Sequence, residues 1–276
     1  NFVKINFSRE IINGVFGSFD AEYAERKSLY NRDFQSWSKK DKEFTSNNPT
    51  LPNDELTKIF DNHDLLKLNF YFRFVFGQKY LSRPDGKFNL SSNKYPQINL
   101  GFEQGILGSN SNYNYSRVST RIIYNKQLGN KGDFEINLKA GKFFNADNIA
   151  FADFKHFNGN ETHVSNGNYS NSFHLLPYYS HSTNNAYLEI HTEHNDNGFI
   201  MNKIPLLNKL KSSLILGYHN ISVPNTKPYH EFTIGLDNLG FGKFKFLRID
   251  YVQSYQNGIK TDGFSFGIRV LDIFTE

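Results

Sequence analysis

Glu189, His191 and Glu193 carry the most concentrated chemistry in the sequence. They occupy every second position of the stretch YLEIHTEHN at 187–195, with Leu188, Ile190 and Thr192 between them. On a strand, alternate side chains share a face and stand about 6.5–7 Å apart, so the three ionisable groups line one side. Such a row does not face hydrocarbon. Four chemistries fit it: a metal site, a proton relay, a dock for an inserted loop, or a solvated wall whose charges satisfy one another. Metal binding and catalysis are the weakest of these, because His-x-Glu alternation alone is a poor ligand signature and the chain has no cysteine and no HExxH pattern. His194 has the opposite parity and is expected near an interface.

A long segment at 145–183 precedes that strand and holds His156, His163, His174 and His181. Its HFNGN motif (His156, Phe157, Asn158, Gly159 and Asn160) joins an apolar anchor to amides and a glycine that permits a tight turn. Such a turn suits a loop folded inside a wet barrel, and it suits an ordinary surface turn equally well. The histidines are read as hydrogen-bonding groups rather than metal ligands. No catalytic residue, metal ligand or cofactor is therefore assigned. Residues 189, 191, 193 and 156–160 are kept as a wall and a loop that docks on it.

The elements that must position these groups are long alternating strands. In 66–76, Leu66, Leu68, Phe70, Phe72, Phe74 and Phe76 alternate with Lys67, Asn69, Tyr71, Arg73 and Val75, giving one apolar and one largely polar face. Alternation and turn signals place strands near 1–9, 14–27, 64–77, 96–107, 115–127, 134–144, 184–197, 211–223, 229–240, 244–256 and 262–274. Most are long enough for a bilayer crossing, which takes about 9–11 tilted residues, and exceed the mode of about 5–6 in soluble sheets. The expected fold is all-β, an antiparallel transmembrane β-barrel over 1–276. Phe70, Phe72, Phe74, Phe134, Ile136, Leu138, Phe266 and Ile268 are expected to face lipid. Lys67, Asn69, Arg73, Glu135 and Arg269 are expected to face inward.

Composition agrees. The chain is 16% aromatic and 38% hydrophobic, with a mean hydropathy of −0.57, and has no apolar run long enough for a membrane helix. A barrel is polar on average because half of each strand faces a wet lumen. The absence of cysteine excludes disulfides and thiolate chemistry. The formal charge of +4 comes from scattered residues, which argues against nucleic acid as a partner.

Alternating the connections between two sides puts 28–63 and 145–183 outside, as the longer extracellular loops, and 10–13, 78–95, 128–133, 198–210 and 241–243 inside. PNDELTKIF at 52–60 is expected to form a short helix with Asn53 or Asp54 as its N-cap. IPLLNKLK at 204–211 either lies in the membrane interface or packs beneath the barrel rim. Bacterial single-chain barrels close with even strand numbers, so eleven strands imply either one further strand within the chain or, the favoured reading, that part of the barrel precedes Asn1. Strand 1–9 is then not expected to pair with 262–274.

GVFGSFDAEYAERKSLYN at 14–31, FKHFNGNET at 154–162, YLEIHTEHNDNGFIMNKIPLLNKLK at 187–211 and the terminal GFSFGIRVLDIF at 263–274 resemble a family of bacterial outer-membrane proteins. Its members join a carboxypeptidase-regulatory-like domain to a region of unknown function ending in a β-barrel. The order of strands and long loops is also similar to the sixteen-stranded outer-membrane-protein-85 superfamily, whose sixth extracellular loop folds into the lumen and whose members insert or translocate proteins. That superfamily's arginine-bearing loop motif is absent, and HFNGN stands in its place. The resemblance implies the C-terminal portion of a Gram-negative outer-membrane barrel without enzymatic activity. It would belong to an assembly, translocation or secretion complex, with outer-membrane lipids and other outer-membrane or periplasmic proteins as partners. The alternative is a solute channel with a charged lumen.

Overall fold

The computed structural model describes residues 1–28, 60–90, 94–106, 111–165, 167, 169–242 and 244–268. The strands are β1 (Phe2–Ile12), β2 (Val15–Arg26), β3 (His63–Val75), β4 (Lys79–Arg83), β5 (Gly86–Leu90), β6 (Gln97–Ile106), β7 (Tyr115–Gln127), β8 (Asp133–Phe144), β9 (Val164–Ser165), β10 (Ala186–Asn195), β11 (Ser213–Ser222), β12 (Tyr229–Phe241), β13 (Phe244–Gln256) and β14 (Ile259–Ile268). Eleven of them correspond to the expected strands. Twelve form one sheet in the order β1-β2-β3-β6-β7-β8-β10-β11-β12-β13-β14-β9. Every neighbouring pair is antiparallel except β14 and β9. No α-helix occurs among the described residues.

Three details depart from the alternation reading. The first and last hairpin connections are tighter than expected: Asn13-Gly14 and Asn257-Gly258 form two-residue turns, pairing Ile12 with Val15 and Gln256 with Ile259. Positive φ at Gly14 (80°), Asn257 (50°) and Gly258 (80°) suits this residue pair in tight hairpins. β14 therefore starts at 259 rather than 262. The connection 78–95 contains an unexpected hairpin, β4–β5, which pairs only with itself. Loop 145–183 contributes β9 to the sheet. The expected helix at 52–60 lies outside the described residues except at Phe60, and Arg269 lies outside them too.

Burial is inverted relative to a soluble sheet. Phe70, Phe72, Leu100, Phe102, Phe232, Ile234, Phe264 and Phe266 are exposed on one face. The opposite face buries Asn99, Asn137, Glu189, His191, His219, Glu231, Arg248 and Asp250. Leu65, Tyr115, Phe143, Phe157, Phe173, Leu176, Tyr187, Ile221 and Tyr229 form an apolar cluster among those polar groups, between sheet and loop. At the edges, β1 has β2 as its one neighbour and β14 has β13 and β9, so β1 and β14 do not pair among the described residues.

Candidate functional site

The connection 145–185 leaves β8 and enters β10, which are adjacent, yet it crosses the polar face almost from edge to edge. Near one edge its Asp153 forms ion pairs with Arg26, at the end of β2, and Lys67 of β3. At the other, Val164 and Ser165 pair with Phe266 and Gly267 of β14, and the Phe266 N–H donates to the His163 carbonyl at 2.8 Å. The segment is a strap. Burial works to raise the Asp153 carboxyl, but Arg26 and Lys67 outweigh it and hold the carboxyl below the usual range.

Three anchorages fix the strap's middle. Backbone N–H groups in a buried loop need acceptors, and a carboxylate on the sheet supplies them. Glu231 of β12 accepts the N–H of His174 (Oε2, 2.8 Å) and of Leu175 (Oε1, 2.8 Å), together with the Tyr229 hydroxyl (Oε1, 2.7 Å). Asn137 of β8 donates to the Ser170 carbonyl at 2.7 Å and accepts from Arg121 Nε at 2.9 Å. Arg248 of β13 lies 3.6 Å from the centre of the Tyr169 ring, with Gly267 beneath the hydroxyl: a Cβ there would stand 1.4 Å from that oxygen. Phe173 then packs over His191, His219 and Tyr229, with ring centres 4.8, 6.3 and 5.9 Å away.

The wall divides into two networks. Glu189 Oε1 receives Lys139 Nζ at 2.7 Å and His191 Nε2 at 2.8 Å, while Lys155 from the strap lies 3.7 Å from Oε2. With Glu189 ionised beside these lysines, His191 carries its proton on Nε2. Its Nδ1 then accepts from His219 Nδ1–H at 2.8 Å. Glu193 belongs to the second network: it receives both terminal nitrogens of Arg248 at 2.9 and 2.8 Å, and Arg248 Nε donates to Asp250 at 2.8–2.9 Å. The ring of His174, 5.1 Å from that of His219, is held neutral. Burial, then the charge of Arg248 and the neighbouring His191, lower its pKa to about 3.

HFNGN is placed inside the strap rather than directly on Glu189. His156 Nδ1 and Ser182 Oγ are 2.7 Å apart, Phe157 packs edge-on against Tyr187 of β10, and Asn158 donates to the Asn171 carbonyl and accepts from the Phe173 N–H. Asn160 N–H donates to the Leu176 carbonyl at 3.0 Å. Gly159 is required by close approach, since a Cβ would lie 2.3 Å from the same carbonyl oxygen. The turn folds the strap back on itself, and residues 169–175 meet the wall. Of these only His174 stands out in the sequence, and Glu231, Arg248 and Asp250 do not. The signal was available in parity: Tyr229, Glu231 and Thr233 alternate with His230, Phe232 and Ile234, and Arg248 and Asp250 with Leu247, Ile249 and Tyr251. Among the described residues, no group of three or more His, Asp or Glu side chains is arranged to hold a metal ion.

Residues 1–236 match the C-terminal domain of DUF5686, a family of unknown function. The chain belongs to that family. No curated protein matches it. Among solved structures it is similar to the crystal structure of BamA from Haemophilus ducreyi lacking POTRA domains 1-3, with a TM-score of 0.52 at 9% identity. The likeness covers 96% of this chain and 53% of that one, so the chain spans about half the BamA structure, and what they share is the fold. A carboxypeptidase-regulatory-like domain has no counterpart in these matches.

Proposed function

We propose that this chain forms the C-terminal wall of a Gram-negative outer-membrane β-barrel and that its strap occupies the lumen. The barrel acts without enzymatic activity or cofactor in an outer-membrane protein assembly, translocation or secretion complex. Its partners are outer-membrane lipids and outer-membrane or periplasmic proteins. The strap carries this reading: its backbone N–H groups are seated on a buried carboxylate, so it is a built part of the face it covers. The apolar exposed face and the fold shared with BamA support the membrane setting. Among the described residues β1 pairs only with β2, and its other edge is where further strands of a sixteen-stranded barrel would add. Glu189, His191 and Glu193 serve as the wall, and residues 156–160 as the turn that shapes the strap.

Two measurements on the full-length protein test the proposal. In planar bilayers the native barrel is expected to conduct little, and Glu231→Ala to raise conductance by freeing the strap, with faster protease cleavage near 169–175 in intact cells. Depleting the protein is expected to lower the amounts of other outer-membrane proteins. A steadily open native pore, with depletion reducing solute uptake and leaving those proteins unchanged, would replace this reading with a solute channel.

A further inference from the structure

The end of the sheet opposite the strap carries a feature that neither wall nor strap uses. Between β10 and β11 the chain makes two short 3-10 turns, Met201–Lys203 and Leu207–Leu210. Its root is fixed. The buried Asp196 carboxylate accepts three backbone N–H groups, those of Gly198 (2.8 Å), Ile200 (2.7 Å) and Leu214 (2.7 Å). Its far end is fixed too, because Lys245 in β13 donates to the carbonyls of Leu210 (2.7 Å) and Lys211 (3.1 Å).

Between these fixings Met201 is buried, but Ile200, Ile204, Leu206, Leu207 and Leu210 are exposed. Leu206 is 76% exposed and has a φ of 73°, a conformation a bulky side chain rarely adopts. A firmly held segment thus spends backbone strain on an unpacked leucine. Of the two expectations for 204–211, this exposure favours the membrane interface over packing beneath the rim. Around the ridge stand Lys203, Lys209 and Lys211, and the sequence has no acidic residue from 197 to 230. The Lys203 ammonium sits 3.6 Å from the centre of the Phe199 ring. At the same end of the sheet, β4–β5 exposes Tyr80, Leu81 and Phe88 beside Lys79 and Arg83.

We propose that segment 197–211 is a membrane foot, an apolar ridge fringed by lysines that seats in a leaflet bearing anionic phospholipid headgroups. Apolar side chains flanked by Lys are the composition of interfacial anchors, and the positive fringe complements phosphate-rich headgroups. This inference rests on the barrel reading, and the test separates the two.

The full-length protein is reconstituted in vesicles of phosphatidylcholine with or without phosphatidylglycerol, using brominated lipids as quenchers. Two single-tryptophan reporters are made in a background where Trp37 and every other native tryptophan of the full-length protein are replaced by Phe: Leu206→Trp on the foot and Phe232→Trp on the exposed face of β12. Both are expected to show blue-shifted, lipid-quenched emission, and phosphatidylglycerol is expected to deepen quenching at 206. Replacing Lys203, Lys209 and Lys211 by Gln should remove that gain, each lysine changing the seated-to-free ratio roughly five-fold. Quenching at 232 with water-like emission at 206 would overturn the foot and leave the barrel standing. Emission at 206 that shifts with protein concentration and ignores brominated lipid would also overturn it, in favour of a contact between copies. Water-like emission at both positions would remove the barrel reading and the foot with it.

Discussion

β1 and β10 are strands of 11 and 10 residues with the same alternating pattern, yet they end in opposite conditions. β10 buries Glu189 and His191 almost completely, whereas β1 exposes nearly every residue on both faces. The strap makes the difference. It runs from the Asp153 pairs with Arg26 of β2 and Lys67 of β3, over Asn137 of β8 and over β10 to β13, as far as β14. Alternation sorts side chains onto two faces. Whether a face becomes a packed, polar interior depends on a second layer arriving with matching donors and acceptors. The same residue types therefore have different energetic weight in the two regions.

Charge removal tests the contrast most severely. Arg248→Met leaves Glu193 and Asp250 without their shared cation in a buried setting, so a loss of about 3–5 kcal/mol is expected. Lys4→Met removes the partner of Glu22 from an open pair at 3.8 Å, and no measurable change is expected. Denaturant unfolding of both variants in the same detergent checks the comparison. Equal losses would show that the strap does not set the environment of Arg248.

A smaller contrast uses one residue type in two places. Gly267→Ala puts a methyl group where the Tyr169 hydroxyl sits, and that ring is buried against Arg248. Overpacking of about 1–3 kcal/mol is expected, read out as faster proteolysis of the strap. Gly17→Ala in β2 meets Ile11 Cδ1 at 2.9 Å, the end of an exposed side chain that rotates away, and Phe72 Cε1 at an ordinary 3.6 Å, so little change is expected.

The contrast also marks what the sequence could convey. Period-two alternation is local, so every long strand is legible, as is the common face of Lys67 and Glu189 that the strap covers. The Asn-Gly turns at 13–14 and 257–258 are written in the sequence too, and that dipeptide sets the ends of the flanking strands. Partners across the sheet were harder. Glu193 finds Arg248 55 positions away, and Glu231 finds the backbone of His174 57 positions earlier. Such pairings depend on register across several strands and on the path of a loop with almost no regular structure. HFNGN stands out in the sequence by its amides and glycine, but its role in turning the strap follows from contacts with 171–176 that no spacing rule encodes.

The smallest expected effect is a pH dependence confined to the strapped region. His174 is neutral in the folded state with a pKa near 3, while its ordinary value is 6.5. An unfolded strap therefore takes up a proton that the seated strap refuses. The stabilisation is complete above about pH 6.5 and declines as pH falls towards 3, by about 1.4 kcal/mol for each pH unit within that window. Between neutral pH and one unit below 6.5, strap cleavage by an acid-tolerant protease should accelerate, and His174→Gln should flatten that slope. Residues 1–28 contain no histidine, so cleavage in β1 and β2 should not follow the same titration. If acceleration in the two regions were equal, the pH effect would belong to the whole sheet. A slope unchanged by His174→Gln would assign the proton uptake to another group.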